Sequence, residues 1–336
     1  MTKREVQTKL RAALRAASSG IQPTPRRVTV GAYLEGWLET SVRLRCRAST
    51  YDSYRDTVNR YIVPAIGQQP LAKLEPSHVA VMLADLTARG TLSPTTVRYC
   101  YVVLRIALGR AFKQGLVARD VATLIDPPAR SRRETHPLSD AQARTFLESV
   151  RGDRLEALYG LALTTGMRQG EMLGLRWQDV SLDARSVTVA HTLQKGTREL
   201  GEPKSARARR LLRLGEMATA SLRRHRISQA EVRLVAGRRW TDLDFVFTTA
   251  NGTPLGSHNV TRYFQAALKR AGLPHQRFHD LRHASATLGL ESGESLYEVS
   301  QRLGHANIAT TGDIYSHVTP AMQDRSAARM DRILTG

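Results

Sequence analysis

Residues 165–171 read Thr-Gly-Met-Arg-Gln-Gly-Glu, directly after a run in which Leu161 and Leu163, like Met167, have the pattern of buried residues. An arginine carried into apolar surroundings needs a partner, because burying an unpaired charge is costly. Glu171, three residues after Arg168, can hold the guanidinium or the neighbouring backbone. Taken alone, the pair fits a structural ion pair as well as a functional site. Two further runs change the balance. Residues 279–283 read His-Asp-Leu-Arg-His, and residues 303–317 read Leu-Gly-His-Ala-Asn-Ile-Ala-Thr-Thr-Gly-Asp-Ile-Tyr-Ser-His. His279 and Arg282, three apart, share a helix face and can reach the same phosphate, while Leu281 between them should face the core. The planar arginine fork matches two phosphate oxygens. Tyr315 follows His305 by ten residues. A tyrosine in a helical segment is ordinarily core or amphipathic surface, and a phenol of pKa about 10 is a weak nucleophile unaided. Cationic neighbours would stabilise both its phenolate and the phosphate it attacks. One potential nucleophile beside two arginines and two histidines suits chemistry at a phosphate diester.

The charge balance points the same way. Of 336 residues, 50 are Lys or Arg and 30 are Asp or Glu, a net charge of +20 that favours a polyanionic partner through counterion release. A hydrophobic share of 41% is ordinary for a folded chain and argues against general disorder. The length suggests about two domains. Cys46 and Cys100 form no disulfide framework and no metal-ligand spacing; both read as small buried hydrophobes. The charged N-terminus lacks the apolar core of a signal peptide, and no run approaches the ~20 apolar residues of a membrane span. A cytoplasmic, nucleoid-associated protein with no membrane partner is therefore expected.

Residues 2–17 carry Val6, Leu10 and Leu14 at four-residue spacing, a helical pattern, before a breaker-rich stretch with Pro23 and Pro25. A compact helical region follows, from about 28 to 125. Tyr33, Leu34, Trp37 and Leu38 repeat on one helical face. Ser49 or Thr50 is placed to cap a second helix, with Pro64 and Gly67 to end it; Ser77 starts a third, and Ser93-Pro94 a fourth running through Val97, Tyr101, Leu104 and Leu108. Prolines 127 and 128 and arginines 130, 132 and 133 mark a second linker, suited to lie along DNA or to act as a solvated hinge. Ser139 and Gln142 open a new helix as a capping box. Residues 186–193 alternate as a strand with Val187 and Val189 on one face, Leu211, Leu212 and Leu214 suggest another, and residues 244–247 a third before an Asn251-Gly252 turn. Gly196 and Gly201 bracket turns ahead of Pro203-Lys204, which makes Lys204 a hairpin lysine, either merely solvated or able to donate a proton to a leaving 5′ oxygen. The rest is helical.

The runs TTGMRQGEMLGLRWQDV (164–180), EPKSARARRLLRL (202–214), HDLRHASATL (279–288) and LGHANIATTGDIYSHV (303–318) stand in the order and spacing of the tyrosine recombinases of the phage-integrase family. YLEGWLE (33–39), STYDSYRDTV (49–58) and LSPTTVRYCYVVLRIAL (92–108) resemble that family's core-DNA-binding domain. The likeness covers about nine tenths of the chain. It implies a mainly α protein: an N-terminal helical core-DNA-binding domain of SAM-like, four-helix type, plus an α+β tyrosine-recombinase catalytic domain with a small antiparallel sheet. The boundaries expected are a short helix and linker over 1–27, the core-DNA-binding domain over 28–125, an interdomain linker over 126–137 and the catalytic domain over 138–336.

By position, the resemblance implies that Arg168 and Arg282 clamp the scissile phosphate, that Lys204 protonates the leaving 5′ hydroxyl, and that His279 and His305 hydrogen-bond the phosphate. Tyr315 would become linked to the DNA 3′ phosphate, with Glu171 and His283 supporting the site from behind. Preorganised cationic donors stabilise the charge that builds on the non-bridging oxygens, so neither cofactor nor metal is expected. His279 and His283 also have the spacing of a zinc pair, but the glutamate expected between such residues is absent. The expected activity is site-specific recombination that integrates or excises a mobile element. A type IB topoisomerase or a regulator that kept the fold and lost catalysis are the alternatives. Expected partners are double-stranded DNA at core-type sites and a homotetramer in the synaptic complex, with room for a directionality factor or a host DNA-bending protein. The sequence departs from the family's Pro-Lys-Thr-x-x-Ser-x-Arg at Ser205 and Ala208, and has Asp120-Val121 where many relatives have Asn-Pro. Residues 1–20 lack the strands of an arm-binding domain, so the protein either works on core sites without arm binding or the chain starts late; the first is favoured.

The last 20 residues place Met322, Ala327, Met330, Ile333 and Leu334 at helical spacings, for packing on the domain itself or on a neighbouring subunit.

Overall fold

The computed structural model describes residues 28–129, 137–194, 199–202, 209–305, 312 and 320–335. The chain divides into two compact units, Met1–Glu134 and Thr135–Gly336. The helix expected at residues 2–17, the arginines of the second linker, Gly196, Lys204 and Tyr315 lie outside the described residues.

The described part of the first unit is helical. Helix α1 (Val30–Trp37) starts where Thr29 Oγ1 accepts the Ala32 N–H, and buries Tyr33, Leu34 and Trp37 as their spacing requires. A wide π turn over Leu38–Val42 and a short turn over Arg43–Arg45 complete it. Helix α2 (Ala48–Thr57) is preceded by Arg47 with no side-chain cap, so neither Ser49 nor Thr50 is the cap. Nor does Pro64 end this helix. A π turn over Val58–Ile62 moves the Val63 N–H to the Val58 carbonyl, and the ladder returns to four-residue bonds at Gly67. The change of register falls across Pro64, where the N–H that proline lacks has no place to be missed. Helix α3 (Pro76–Ala88) begins one residue before Ser77, because Glu75 and His78 cap it reciprocally. Helix α4 (Pro94–Lys113) starts at Ser93 as its sequence indicates. Its Val97, Tyr101, Leu104 and Leu108 are buried, and Asp120 caps the 3-10 turn Val121–Leu124 that follows. Trp37 stacks on Tyr54 at 5.8 Å, and the Tyr33 hydroxyl donates to the Ala107 carbonyl at 2.8 Å, locking α1 to α4. Cys100 lies in this core; Cys46 is exposed, contrary to expectation, because it follows the last turn of a helix in extended backbone between two arginines.

The second unit is built around α6 (Glu156–Thr165), whose residues are buried on nearly every side. Helix α5 (Asp140–Ser149) packs beside it, and the rings of Phe146, Tyr159, Phe264 and Phe278 form one aromatic cluster at centroid distances of 5.2–6.5 Å. The short α7 (Gln169–Leu173) leads to a three-stranded antiparallel sheet of β1 (Val180–Ser181), β2 (Ser186–Val189) and, beyond a separate hairpin, β5 (Arg210–Arg213). The hairpin pairs β3 (Thr192–Leu193) with β4 (Leu200–Gly201), so the single strand expected over 186–193 is broken in two. Val187 lies opposite Leu212, both buried. The strand expected at residues 244–247 is reduced to an isolated bridge between Arg176 and Phe245; the backbone there enters a positive φ at Asp244, which interrupts a ladder. Helices α8 (Glu216–Ala236), α9 (Ser257–Arg270), α10 (Asp280–Ser292) and α11 (Leu296–Leu303) complete the body, with α8 and α10 against α6. The last helix, α12 (Pro320–Thr335), exposes Met330, Ile333 and Leu334, which are therefore not packed on their own unit. Among the described residues no helix is long and apolar enough to cross a membrane.

Candidate active site

Helix α6 stops because Gly166 turns left-handed (φ +63°), and a Cβ there would lie 2.4 Å from Leu303 Cδ2. That close fit lets the chain reverse and present Arg168 at the start of α7. The backbone N–H of Arg168 donates to Glu171 Oε2 at 3.0 Å, and its Nη1 donates to Oε1 at 2.8 Å. The carboxylate is buried while the arginine side chain is 40% exposed, so the guanidinium is held through Nη1 and remains in part open to solvent. The ion pair expected from spacing is present. Burial pushes the Glu171 carboxyl up, but Arg210 and Arg168 more than offset it and hold it below the usual carboxylate range.

Arg282 lies on α10, buried. Its Nη1 donates to the Gly166 carbonyl at 2.6 Å and its Nη2 to the Leu303 carbonyl at 2.8 Å. Leu303 is the last residue of α11, which Gly304 ends in the left-handed region. Three successive carbonyls at this helix end meet three different arginines: Arg302 O accepts Arg210 Nε at 2.7 Å, Leu303 O accepts Arg282 Nη2, and Gly304 O faces Arg168 Nη2 at 3.4 Å. The negative end of the helix dipole and its unsatisfied carbonyls make this a natural seat for guanidinium groups. The structure thus joins residues 168, 210, 282 and 302–304 of the chain in one place. Leu281 is buried as expected.

His305 follows this turn directly, its N–H bonded to the Ser300 carbonyl at 3.1 Å. Partial burial, then the charges of Arg282, Arg168 and Arg210, push its imidazole down to about 4. His279 precedes α10, and its ring stands edge-on to His283 at 5.3 Å. Burial, with His283 and Arg282 next, pushes His279 down to about 4, and burial also lowers His283. Both His279 and His305 are neutral at pH 7 and can either donate or accept. The loop ahead of His279 is fixed by Asp280, whose carboxylate accepts the Arg277 N–H at 2.8 Å and its Nη2 at 2.7 Å. No three His, Cys, Asp or Glu side chains among the described residues are grouped to share a metal ion.

Sequence reasoning missed Arg210, Arg302 and Asp280. Arg302 ties α11 to α10, donating to Ser285 Oγ at 2.6 Å and to Glu294 Oε2 at 2.9 Å. For Arg210 a signal did exist: it alternates with buried Leu212 on the inward face of β5. Lys204 and Tyr315 lie outside the described residues.

The chain matches the Phage integrase family over residues 137–322 and the Phage integrase N-terminal SAM-like domain over residues 29–84. It is 30% identical to an integrase of Streptomyces ambofaciens across 99% of this chain and 87% of that protein. The chain belongs to the phage integrase family. It is also 28% identical to a XerC-like tyrosine recombinase of Caldanaerobacter subterraneus, across 98% of this chain and 90% of that one. In fold it is similar to the Tn1549 transposon integrase solved with transposon right end DNA (TM-score 0.76, 20% identity, 91% of this chain and 99% of that one). It is similar, too, to a lambda integrase dimer on a core site (TM-score 0.62, 19% identity, 84% and 97%). The mainly helical fold and the tyrosine-recombinase class read from the sequence motifs therefore stand, and with that class the breaking and rejoining of DNA strands.

Proposed function

We propose that the protein recombines specific DNA sites through a 3′-phosphotyrosine intermediate, integrating or excising a mobile element. The observation that carries this assignment is the end of α11, where Arg168, Arg210 and Arg282 meet three consecutive carbonyls beside two neutral imidazoles. Arg168 and Arg282 would hold the two non-bridging oxygens of a phosphate diester, and fixed cations act most strongly where charge develops in the transition state. His279 and His305 would hydrogen-bond the same oxygens, burial and then the positive surroundings keeping both from taking a proton before the anion arrives. The Tyr315 phenol oxygen would form a bond to phosphorus as the bond to the 5′ oxygen breaks. The phenol proton passes to a neighbouring imidazole or water, and Lys204 gives a proton to the departing 5′ oxygen. The roles of Lys204 and Tyr315 rest on the motifs that contain them. The ester keeps the energy of the broken bond, so a 5′ hydroxyl from another duplex can reverse the step with no nucleotide consumed.

The partner is double-stranded DNA at core-type sites, a reading supported by the net charge of +20 and by fold neighbours solved on DNA. Exposed Met330, Ile333 and Leu334 on α12 support a contact between subunits and hence a homotetramer on paired sites. A directionality factor or DNA-bending protein would act on that assembly, in the cytoplasm and at the nucleoid.

A nicked duplex that loses its 5′ hydroxyl fragment on cleavage tests the proposal. Wild-type protein should accumulate a covalent adduct, Tyr315→Phe should bind but form none, and Arg168→Ala and Arg282→Ala should each slow cleavage by roughly 10²-fold or more. Tight binding with no wild-type adduct would make the protein a regulator. Relaxation of any supercoiled plasmid, without strand transfer between cloned sites, would make it a topoisomerase.

A further inference from the structure

Arg210 opens β5 opposite Val189, on the same face as buried Leu212. Its Nη2 donates to Glu171 Oε2 at 3.0 Å and its Nε to the Arg302 carbonyl at 2.7 Å. The same Glu171 carboxylate orients Arg168 through both of its oxygens. The same helix end orients Arg282 through the next carbonyl, at Leu303. Gly304 is pressed against Arg210: a Cβ there would lie 2.9 Å from Arg210 Nη1 and 3.1 Å from its Cδ. One guanidinium therefore braces the two supports on which the two clamp candidates depend.

The chemistry of the carboxylate says what losing that brace would do. Glu171 is buried, and its two oxygens must be met by donors. With Arg210 in place, Arg168 gives Oε1 one Nη1 N–H and gives Oε2 its backbone N–H, while its Nη2 is turned off the carboxylate, 3.4 Å from the Gly304 carbonyl, and the side chain stays part exposed. Without Arg210, Oε2 would draw the second arm of Arg168, turning the fork onto the carboxylate and away from substrate. The end of α11 would also lose a donor, loosening the turn that carries Arg282's acceptor and His305.

We infer that Arg210 is a positioning residue for strand cleavage, holding the Glu171 carboxylate and the end of α11 so that Arg168 and Arg282 face one phosphate. The inference rests on the function proposed above. It assigns Arg210 a task in catalysis where a buried ion pair alone would only support the fold. Arg210 reaches its two acceptors from separate nitrogens, Nε and Nη2, of one rigid fork, whereas a lysine offers a single nitrogen on a flexible stem.

Single-turnover cleavage of the nicked duplex at saturating protein tests this, alongside DNA affinity and urea midpoint for each variant. Arg210→Met should cleave roughly 10- to 100-fold more slowly, the range of residues that orient another, while DNA affinity stays at the wild-type value. Arg210→Lys keeps a cation for Glu171 and should be intermediate. The double variant Arg210→Met with Glu171→Gln should be no slower than the slower single, because both changes act through one carboxylate. Folded Arg210→Met cleaving at the wild-type rate, or a double variant whose defects multiply, would overturn the inference. Should Arg210→Met fail to fold, Arg210→Lys decides: slowed cleavage at full affinity supports the inference and wild-type cleavage overturns it. Absence of any adduct with wild-type protein would overturn the proposed function and this inference together. Wild-type cleavage with an unaffected Arg210 variant would overturn this inference alone.

Discussion

Gly166 carries more of the site than its size suggests. It ends α6 in a left-handed turn, gives its carbonyl to Arg282 and lies so close to Leu303 and Ser285 that no side chain fits. Gly166→Ala should therefore cost about 1–3 kcal/mol, from backbone strain and overpacking together. Urea unfolding measures this; an unchanged midpoint would mean that the turn relaxes freely. At this scale, what was legible in the sequence was whatever pairs locally. Arg168 and Glu171 stand three apart, and spacing alone proposed the ion pair that the structure contains. Arg282, and Arg210 through its Nε, bond carbonyls between 21 and 116 residues away, and a carbonyl has no residue identity to read; the other partner of Arg210, Glu171, stands 39 residues from it. The cluster at the end of α11 was therefore visible only as separate arginines.

Among the elements, helices with a local cap and one apolar face were legible. Helix α4 with Ser93-Pro94, and α5 with the Ser139–Gln142 capping box, begin where their sequences place them. Elements that depend on a register change were not. The π turn over Val58–Ile62 lets a helix pass Pro64, and the positive φ at Asp244 leaves a bridge where apolar residues suggested a strand. Helix α8 gave no clear sequence signal because only its first two turns and its last residue are buried. The exposed apolar residues of α12 belong to this scale as well. Ile333→Asp should leave the monomer's urea midpoint and the adduct on an isolated half-site unchanged while lowering tetramer on paired sites. Light scattering of the DNA complex would show it, and full tetramer formation would remove α12 from the subunit contact.

For the whole molecule, acid is a direct probe of the cationic centre. Burial lowers His225, His279, His283 and His305, with neighbouring arginines adding to the effect at His279 and His305. Each binds its proton less readily in the folded chain than in the unfolded form, which titrates at about 6.5. Below that pH the unfolded state binds more protons, so stability is full above about pH 6.5 and falls as the pH drops toward 4. The melting temperature should decline on acidification from pH 7 to 5, and His305→Gln should flatten the decline; a slope untouched by that change would place His305 outside the charged cluster. The central claim, that a phenol becomes esterified to DNA within this pocket, is tested most directly by digesting the trapped adduct and locating the nucleotide remnant by mass spectrometry. The remnant is predicted on the peptide containing Tyr315, in yield unaffected by chelator. A remnant on any other residue, or cleavage that stops when chelator is added, would contradict it.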